Sequence, residues 1–354
     1  MEIVLQQLLN GLTLGGIYAL IALGYTMIYG VVKLINFAHG DIFMAGSFVG
    51  LFIALKISAN IFAVMFGALL FCAVLGFLTE RAAYRPLRDA NPRNMIFTAV
   101  FVLVILFIAF LSQNSLKTLF ASPKIWIGTI LFLAFTIWLV ATGAKRGGRK
   151  ESSRINALIS AIGMSIVISN MVGLIHGPKR AAYPEIIKFS EINILGIGFN
   201  GLQIFIILSS FFLMAALYII VHKTKAGTAM RAVSQNMNAA RLMGINPNKV
   251  VGFTFALGSA LAGAAGVLVG IFYTVADHTM GGLYGLKAFV AAVLGGIGSI
   301  PGAMLGGFVL AIAEVFGVGF LDPQLRDAIA FGILIIILVA RPAGFFGSTA
   351  REKV

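Results

Sequence analysis

Three consecutive stretches decide the fold of this chain: GLQIFIILSSFFLMAALYIIV (201–221), HKTKAGTAMRAVSQNMNAARLMGINPN (222–248) and KVVGFTFALGSALAGAAGVLVGIFYTV (249–275). The first and third are apolar and long enough to span a bilayer at about 1.5 Å per helical residue. The second is polar and joins them. Two membrane-length apolar runs around a polar loop are typical of a polytopic helical membrane protein whose loop lies in water.

The polar loop 222–248 itself contains a helical pattern. Between Thr228 and Gly244, apolar residues recur every three or four positions, which predicts a short amphipathic helix. These residues are Met230, Val233, Met237, Ala240 and Met243. Gly244 is a predicted helix stop, and Pro247 follows it. Exposed methionines favour docking into a groove on another protein, whereas a surface linker with a helical turn is the alternative that spacing leaves open.

Composition places the whole chain in the membrane. Hydrophobic residues make up 60% of the 354 residues and charged residues 11%, whereas soluble domains carry about 25% charged residues. Apolar stretches recur along the sequence, and its 41 glycines fit close helix packing in lipid. We therefore predict one all-α transmembrane domain over residues 1–354, a helical bundle of about nine to ten membrane elements.

The net charge of +14 is distributed as membrane topology requires, and nucleic-acid binding is not predicted. Lys and Arg concentrate in alternate loops, at 81–93, 145–154, 223–249 and 341–353, which is the positive-inside pattern. We expect these loops in the cytoplasm, with the amino terminus outside and the carboxyl terminus inside. The single cysteine, Cys72, excludes an intrachain disulfide.

A first interruption of the apolar sequence is LINFAHGD (34–41), which contains Asn36, His39 and Asp41. Either the second helix begins at Leu34 and carries these groups inside, or the chain is locally broken here. Polar groups at membrane depth are costly, which makes them candidate functional residues. A tight cytoplasmic turn with local hydrogen bonds is the alternative.

A second interruption, GGIGSIPG (295–302), follows an apolar run over 286–297 that is too short to cross a bilayer. Two half-length helices around a Gly/Pro break predict a discontinuous element beside a cavity, with a tight hairpin as the alternative. The preceding DHTMGGLYGLK (277–287) is expected outside. Glu314 is an isolated acid, either hydrogen-bonded in the interior or a gating residue. Serines in the span predicted over 155–176 serve either helix packing or pathway lining.

Motifs of catalysis are absent from the sequence. It contains no Walker A lysine loop, HExxH, CxxC or GxSxG, so neither enzymatic activity nor a cofactor is predicted. Its histidines lie far apart and predict no metal site. They are His39, His176, His222 and His278. A proton relay through His39, Asp41 and Glu314 would favour the alternative function, a stand-alone secondary transporter or channel for a small polar solute.

Four segments together resemble the H-type permease subunits of bacterial branched-chain amino acid ABC importers. They are NGLTLGGIYALIALGYTMIYGVVKLINFAHGDIFMAG (10–46), INALISAIGMS (155–165), RAVSQNMNAARLMGIN (231–246) and KAFVAAVLGGIGSIPGAMLGG (287–307). The order of the segments matches the family. Residues 92–150 depart from it, because the family pattern runs almost directly from YRPLR to INALISAIGMS. We predict that 92–150 is a two-helix insertion.

The resemblance implies that the loop 222–248 is a cytoplasmic coupling loop that docks into ATPase subunits. Permeases of ABC importers often carry EAA-x3-G at this place, and this chain has NAARLMG, with Asn238 where the acid would stand. The predicted coupling residues are Arg231, Asn238, Ala239, Ala240 and Gly244. The residues predicted near the translocation pathway or its gate are Asn36, His39, Gly295, Gly296, Gly298 and Pro301.

The resemblance also implies a heteromeric assembly in the bacterial inner membrane. Its other members would be a second, related permease, two ABC ATPases that bind and hydrolyse ATP, and an external substrate-binding protein. The implied cargo is leucine, isoleucine or valine, although related systems carry urea, short amides or other amino acids. Apart from these proteins and the amino-acid substrate, membrane lipid is the expected contact of the chain.

Overall fold

The computed structural model describes residues 2–88, 152–177, 179–186, 191–194 and 197–347. The predicted insertion at 92–150 lies outside the described residues. The longer helices are α1 (Glu2–Val32), α2 (His39–Lys56), α3 (Ile61–Thr79), α5 (Ser152–His176), α6 (Gly201–Lys223), α9 (Pro247–Tyr273), α10 (Met280–Gly295), α11 (Ile300–Phe320) and α12 (Arg326–Ala340). The short ones are a π-helix (Glu80–Tyr84), α4 (Arg85–Arg88), α7 (Lys225–Gln235), α8 (Met237–Leu242) and a 3-10 helix (Pro323–Leu325).

Within the described part of the chain, eight helical segments are long and apolar enough to cross a membrane, and α10 is a shorter apolar helix. The predicted all-α polytopic bundle is therefore confirmed. Helices α1 and α9 are mostly buried, whereas α5, α6 and α12 expose most of their surface. The bundle is thus built around α1 and α9, and the outer helices present apolar side chains to their surroundings.

Small residues let the central helices approach closely. Helix α1 packs along α11 and against α9, and α9 packs along α2 and α3. A Cβ atom at Gly258 would lie 3.2 Å from the Gly24 carbonyl oxygen, and one at Gly15 would lie 3.0 Å from the Phe308 Cα. Such glycine contacts are the usual way in which helices associate in lipid, where apolar burial gives no driving force.

The first interruption is a true break between α1 and α2. Lys33 has a φ of 58° in the left-handed region, and α2 begins at His39. The second helix therefore does not begin at Leu34, and the alternative of a local break is correct. His39 and Asp41 lie in the first turn of α2 and are buried in the bundle.

The second interruption also exists, but its flanking helices differ from the prediction. Helix α10 has 16 residues and begins at Met280, so most of the segment 277–287 expected outside is helical. Helix α11 has 21 residues and is long enough to span, so it is not a half-length helix. The positive φ values of Gly296 (98°) and Gly298 (101°) make the turn between them, a conformation that glycine adopts without steric cost.

In the described part of the chain, two short antiparallel strand pairs lie outside the helices. Strand β1 (Ala181–Ala182) pairs with β4 (Val275–Ala276), and β2 (Glu191–Ile194) pairs with β3 (Ile197–Asn200). The first pair fastens the segment after α5 to the end of α9. Tyr183 continues this connection, since its backbone N–H donates to the Thr274 carbonyl at 2.9 Å.

Candidate translocation pathway and coupling site

The predicted coupling loop, residues 222–248, contains two helices, so the prediction of one continuous helix from Thr228 to Gly244 is wrong. Helix α7 ends at Gln235, and Asn236 has extended backbone angles (φ −154°, ψ 108°). The Asn236 side chain accepts hydrogen bonds from the Asn238 and Ala239 amides, both at 3.0 Å, and so caps α8. A short polar side chain that bonds to nearby amides favours a new helix start over helix continuation.

Most of the apolar face of this loop turns toward the bundle. Met230, Val233 and Ala240 are buried, so the expectation of exposed methionines is wrong for Met230 and correct for Met243. The large apolar side chains that are open in this loop lie at the end of α8 and directly after it: the exposed fraction is 89% for Leu242 and 81% for Met243. The surface available to a partner is therefore this apolar tip, which we define as Leu242 and Met243.

Gly244 ends α8 as predicted. Its φ is 82°, its N–H donates to the Arg241 carbonyl at 3.0 Å, and the Ile245 N–H donates to the Ala240 carbonyl at 3.0 Å. This pair of bonds is the Schellman arrangement of a helix terminus. At the other end, Asn236 caps α8, so the apolar tip is held by hydrogen bonds on both sides.

The five predicted coupling residues divide by exposure. Arg231, Asn238, Ala239 and Gly244 are exposed, and Ala240 is buried. The Arg231 guanidinium donates to the Val221 carbonyl near the end of α6. Arg231 thus ties α7 to the membrane helix that precedes it, while Asn238 and Ala239 lie on the open face of α8.

Asn36 and His39 are both buried at the break between α1 and α2. The Asn36 side-chain oxygen accepts from the Ala38 amide at 3.2 Å and from the Tyr84 hydroxyl at 2.9 Å. The His39 Nε2 lies 3.2 Å from the Ile21 carbonyl oxygen. One polar atom of each, Asn36 Nδ2 and His39 Nδ1, is buried without a hydrogen-bond partner. Unpaired buried polar atoms are uncommon because each costs free energy.

The serines of α5 bond to neighbouring helices. Ser160 Oγ donates to the Ala83 carbonyl at 2.9 Å, and Ser169 Oγ donates to the His278 carbonyl at 3.2 Å. Ser165 Oγ donates to the Asp41 carboxylate. These contacts favour the packing alternative for α5, because each hydroxyl fastens this peripheral helix to the bundle.

The glycine-rich break 295–302 is partly covered by the segment after α12. Phe345 N–H donates to the Leu294 carbonyl at 2.9 Å, and Phe346 N–H donates to the Gly295 carbonyl at 3.0 Å. Gly295 and Gly296 are buried beneath this segment, whereas Gly298 and Pro301 are exposed. The carbonyls at the end of α10 thereby gain the partners that a helix terminus lacks.

The structure brings the two breaks together. A Cβ atom at Gly30, near the end of α1, would lie 3.8 Å from the Gly298 Cα. A small apolar cleft lies beside this contact, and its lining comes from both breaks and from α1 and α10. The lining residues are Tyr25, Tyr29, Ile35, Phe289, Ala292 and Ile297. His39 is adjacent, because its ring lies 4.7 Å from the Tyr25 ring.

A buried ionic site near the other end of the bundle was missed by the sequence analysis. Glu314 is not isolated: Lys287 Nζ lies 2.8 Å from its carboxylate, and the Arg326 guanidinium also donates to it. Lys287 Nζ lies 2.7 Å from Asp327 Oδ1, at an angle outside hydrogen-bond geometry. We call Lys287, Glu314, Arg326 and Asp327 the charged cluster.

Two tyrosines form hydrogen bonds with members of the charged cluster. The Tyr18 hydroxyl donates to Glu314 at 3.0 Å, and Arg326 donates to the Tyr273 hydroxyl at 2.9 Å. The sequence signal that could have identified the site was Lys287, a cation inside an apolar run, which needs a counter-charge at membrane depth. Its placement in a loop outside the membrane hid that signal.

Comparisons with known proteins agree with the membrane-spanning fold described above. Residues 7–338 match the family described as "Branched-chain amino acid transport system / permease component". The chain is 37% identical to the high-affinity branched-chain amino acid transport system permease protein BraD of Pseudomonas aeruginosa, over 99% of this chain and 98% of that protein. It is 35% identical to the permease protein LivH of Escherichia coli, over 99% of this chain and 97% of that protein.

A more distant relative is the xylose transport system permease protein XylH of Escherichia coli, which is 26% identical over 65% of this chain and 55% of that protein. No solved structure gives a significant match to this chain. The family match covers nearly the whole chain, and the two relatives named first align over almost their full lengths. This chain therefore belongs to the family of permease components of branched-chain amino acid transport systems.

Proposed function

We propose that this chain forms part of the membrane pathway of an ATP-driven importer for leucine, isoleucine or valine in the bacterial inner membrane. The permease family of the chain and the names of its full-length relatives support this cargo. The partners in the proposal are a second, related permease, two ABC ATPases and an external substrate-binding protein. ATP is bound and hydrolysed on the ATPases, and this chain contributes the pathway and the coupling.

The observation that carries the proposal is the apolar tip of the coupling loop. Leu242 and Met243 are nearly fully exposed on a helix that is capped at Asn236 and ended by Gly244. Exposed apolar side chains on a preorganised segment suit burial in a partner groove, because little ordering entropy is lost on docking. The exposed Ala239 lets a groove close around α8 without steric obstruction.

The pathway in the proposal passes the meeting point of the two breaks. Asn36 and His39 supply unpaired polar atoms there, and the cleft beside Tyr25 is apolar. The amino-terminal end of α2 carries partial positive charge without a fixed cation. Such a site offers transient polar contacts to an amino acid, while the apolar lining suits an aliphatic side chain. Gly298 and Pro301 form the exposed edge of this region.

The proposed orientation places the coupling loop in the cytoplasm, where the ATPases would be. The amino terminus is then outside and the carboxyl-terminal segment inside, in agreement with the positive-inside distribution of Lys and Arg. Residues 1–354 form one permease domain in this proposal, and 92–150 remains a predicted two-helix insertion.

The proposal is tested by making the apolar tip charged. In cells that lack their own copy of the gene, a Leu242→Asp, Met243→Asp variant is expected to reach the membrane at the wild-type level, because both side chains are exposed. We expect ATP-dependent leucine uptake to fall at least tenfold and the ATPases to be lost from pull-downs. The matched control is Leu242→Met, Met243→Leu, which keeps an apolar tip and should retain uptake.

Normal uptake and ATPase recovery with the doubly charged tip would contradict the docking role. Uptake by the wild-type chain that persists without any ATPase would instead support a stand-alone secondary transporter. Family membership disfavours that alternative. The pairing of Glu314 with Lys287 and Arg326 also leaves it poorly suited to a proton relay.

A further inference from the structure

We propose that the charged cluster is a zwitterion-exchange site at the external end of the pathway. In this site, the carboxylate of an incoming amino acid takes the place of Glu314 or Asp327 opposite Lys287 and Arg326. The ammonium group takes the place of Lys287 or Arg326 opposite a carboxylate of the cluster. The inference rests on the proposed function and deepens it, because it assigns residues to recognition of the substrate backbone.

The charged cluster lies at the end of the bundle opposite the coupling loop. Helix α9 has 27 residues, begins at Pro247 beside the coupling loop and ends at Tyr273. Tyr273 is the residue whose hydroxyl accepts from Arg326. At about 1.5 Å per residue, the two ends of α9 are about 40 Å apart. With the coupling loop in the cytoplasm, the charged cluster faces the external side.

Exposure within the charged cluster is graded from the interior to the surface. Glu314 is 0% exposed and Lys287 2% exposed, whereas the exposed fraction is 34% for Arg326 and 50% for Asp327. The cluster therefore has an open side with one cation and one anion and a closed side with another pair. A solute that arrives from outside meets Arg326 and Asp327 before it can reach the buried pair.

The charged cluster fastens together helices that are separate in sequence. Lys287 belongs to α10, Glu314 to α11, and Arg326 and Asp327 to α12, while Tyr18 of α1 donates to Glu314. The ion pairs thus cross the interfaces among three helices at once. An opening of this end of the bundle must separate these pairs or supply new partners for them.

The free-energy cost of leaving a buried charge unpaired makes such an opening selective for the charge of the solute. A buried charge that loses its only partner is strongly destabilised, because the protein interior solvates it poorly. A solute with one charge could replace only one member of each pair and would leave the other exposed to an apolar environment. A zwitterion replaces both, since it carries a carboxylate and an ammonium group, and the cluster itself is neutral. Exchange at low cost is therefore restricted to zwitterions.

The surroundings fit the rest of the substrate. The Tyr284 ring lies 5.4 Å from the Phe43 ring, 6.2 Å from the Tyr18 ring and 6.4 Å from the Tyr273 ring. These rings form an aromatic wall beside the charges, against which an aliphatic side chain can pack. The same region thus offers charge exchange to the amino acid backbone and apolar contact to its side chain.

The experiment must separate exchange from a purely structural ion pair. Replacement of a buried ion pair by apolar residues of similar size commonly preserves folding. The test variant is Lys287→Met with Glu314→Leu, expressed in cells that lack the native chain and assayed for leucine uptake over a range of concentrations. The control removes an exposed ion pair near the same end, Arg180→Gln with Asp277→Asn.

If the cluster exchanges its ion pairs for the charges of the amino acid, the maximal uptake rate of the test variant should fall at least tenfold. Its level in the membrane and its recovery of the ATPases should stay normal. The half-saturating concentration should change less than twofold, because an external binding protein sets it. The control should keep wild-type uptake. Uptake of the test variant within twofold of wild type would assign the cluster a structural role and overturn the proposal.

A second variant covers the case in which the doubly apolar chain fails to accumulate. Asp327→Asn removes one charge at a half-exposed position and leaves the buried Glu314 opposite Lys287 and Arg326, so its cost in stability is expected to be smaller than that of removing Glu314. We expect at least a threefold fall in maximal uptake, and unchanged uptake would contradict exchange. Absence of uptake by the wild-type chain would refute the proposed function itself, whereas wild-type uptake with active variants would refute only the exchange site.

Discussion

The predicted coupling loop and the charged cluster are polar regions at opposite ends of α9, and they are built in different ways. In the coupling loop, the structure is local: Asn236 caps the helix that follows it, and Gly244 ends that helix eight residues later. In the charged cluster, Tyr18, Lys287 and Glu314 come from distant parts of the sequence and meet in the interior. A local motif is stabilised by its own sequence, whereas a long-range ionic site depends on the whole bundle.

The largest effect is expected from removal of Glu314, the fully buried carboxylate of the cluster. Glu314→Leu leaves Lys287 and Arg326 with a single carboxylate, Asp327, and should destabilise the protein by about 3–5 kcal/mol. The measurement is thermal unfolding of the purified chain in detergent, together with its level in the membrane. This variant tests whether the interior depends on the pairing.

The matched control for Glu314→Leu is the double variant Lys287→Met, Glu314→Leu. It should be more stable than the single variant, because no excess cation then remains buried. Equal instability of the two variants would show that the Lys287–Glu314 pairing contributes little to stability. The charged cluster would then no longer differ from the loop at the other end of α9 by depending on a long-range ion pair.

A smaller effect is expected in the coupling loop. Asn236→Ala removes the side-chain acceptor for the Asn238 and Ala239 amides, and should cost about 1 kcal/mol of local helix stability. Hydrogen exchange at these two amides should become faster, while the membrane helices keep their protection. Asn236→Asp keeps an acceptor and serves as the control. Faster hydrogen exchange in the membrane helices as well would show that the structure of this loop is not stabilised by its own sequence alone.

The smallest expected effect is on the pKa of Asp277, which pairs with the exposed Arg180 near the same end as the charged cluster. Burial acts to raise the pKa of Asp277, but hydrogen bonds from Thr279 and Arg180 outweigh it and hold this pKa below its usual value. The stabilisation by these contacts is therefore present above about pH 3.9, the usual carboxyl pKa, and is lost as the pH falls through the lower folded value.

Arg180→Gln should raise the pKa of Asp277 toward the usual value, which a carboxyl titration by NMR would measure. The neighbouring Lys179→Gln is the control and should leave that pKa unchanged. An equal rise in both variants would assign the effect to general surface charge. A rise in Arg180→Gln alone would sharpen the difference between this exposed pair and the buried Lys287–Glu314 pair.

Several features of the fold were predictable because they depend on local sequence. The membrane helices followed from apolar runs, and Gly244 was recognisable as a helix stop. The division of the coupling loop at Asn236 was missed, because the apolar spacing continues through it while the asparagine side chain competes for the backbone amides. The roles of the predicted coupling and pathway residues remain predictions.

The sequence by itself determined the class of this protein, the positions of most membrane helices, the two places where the apolar sequence is interrupted and, through four segments, the resemblance to its family. These features depend on composition, periodicity and turn residues, which act over a few positions. Only the tertiary structure decided that Lys287 meets Glu314 and Arg326, and that the two breaks lie together at Gly30 and Gly298. The physical reason is that ion pairing and helix packing depend on distance in space, and residues far apart in the chain carry no spacing signal for it.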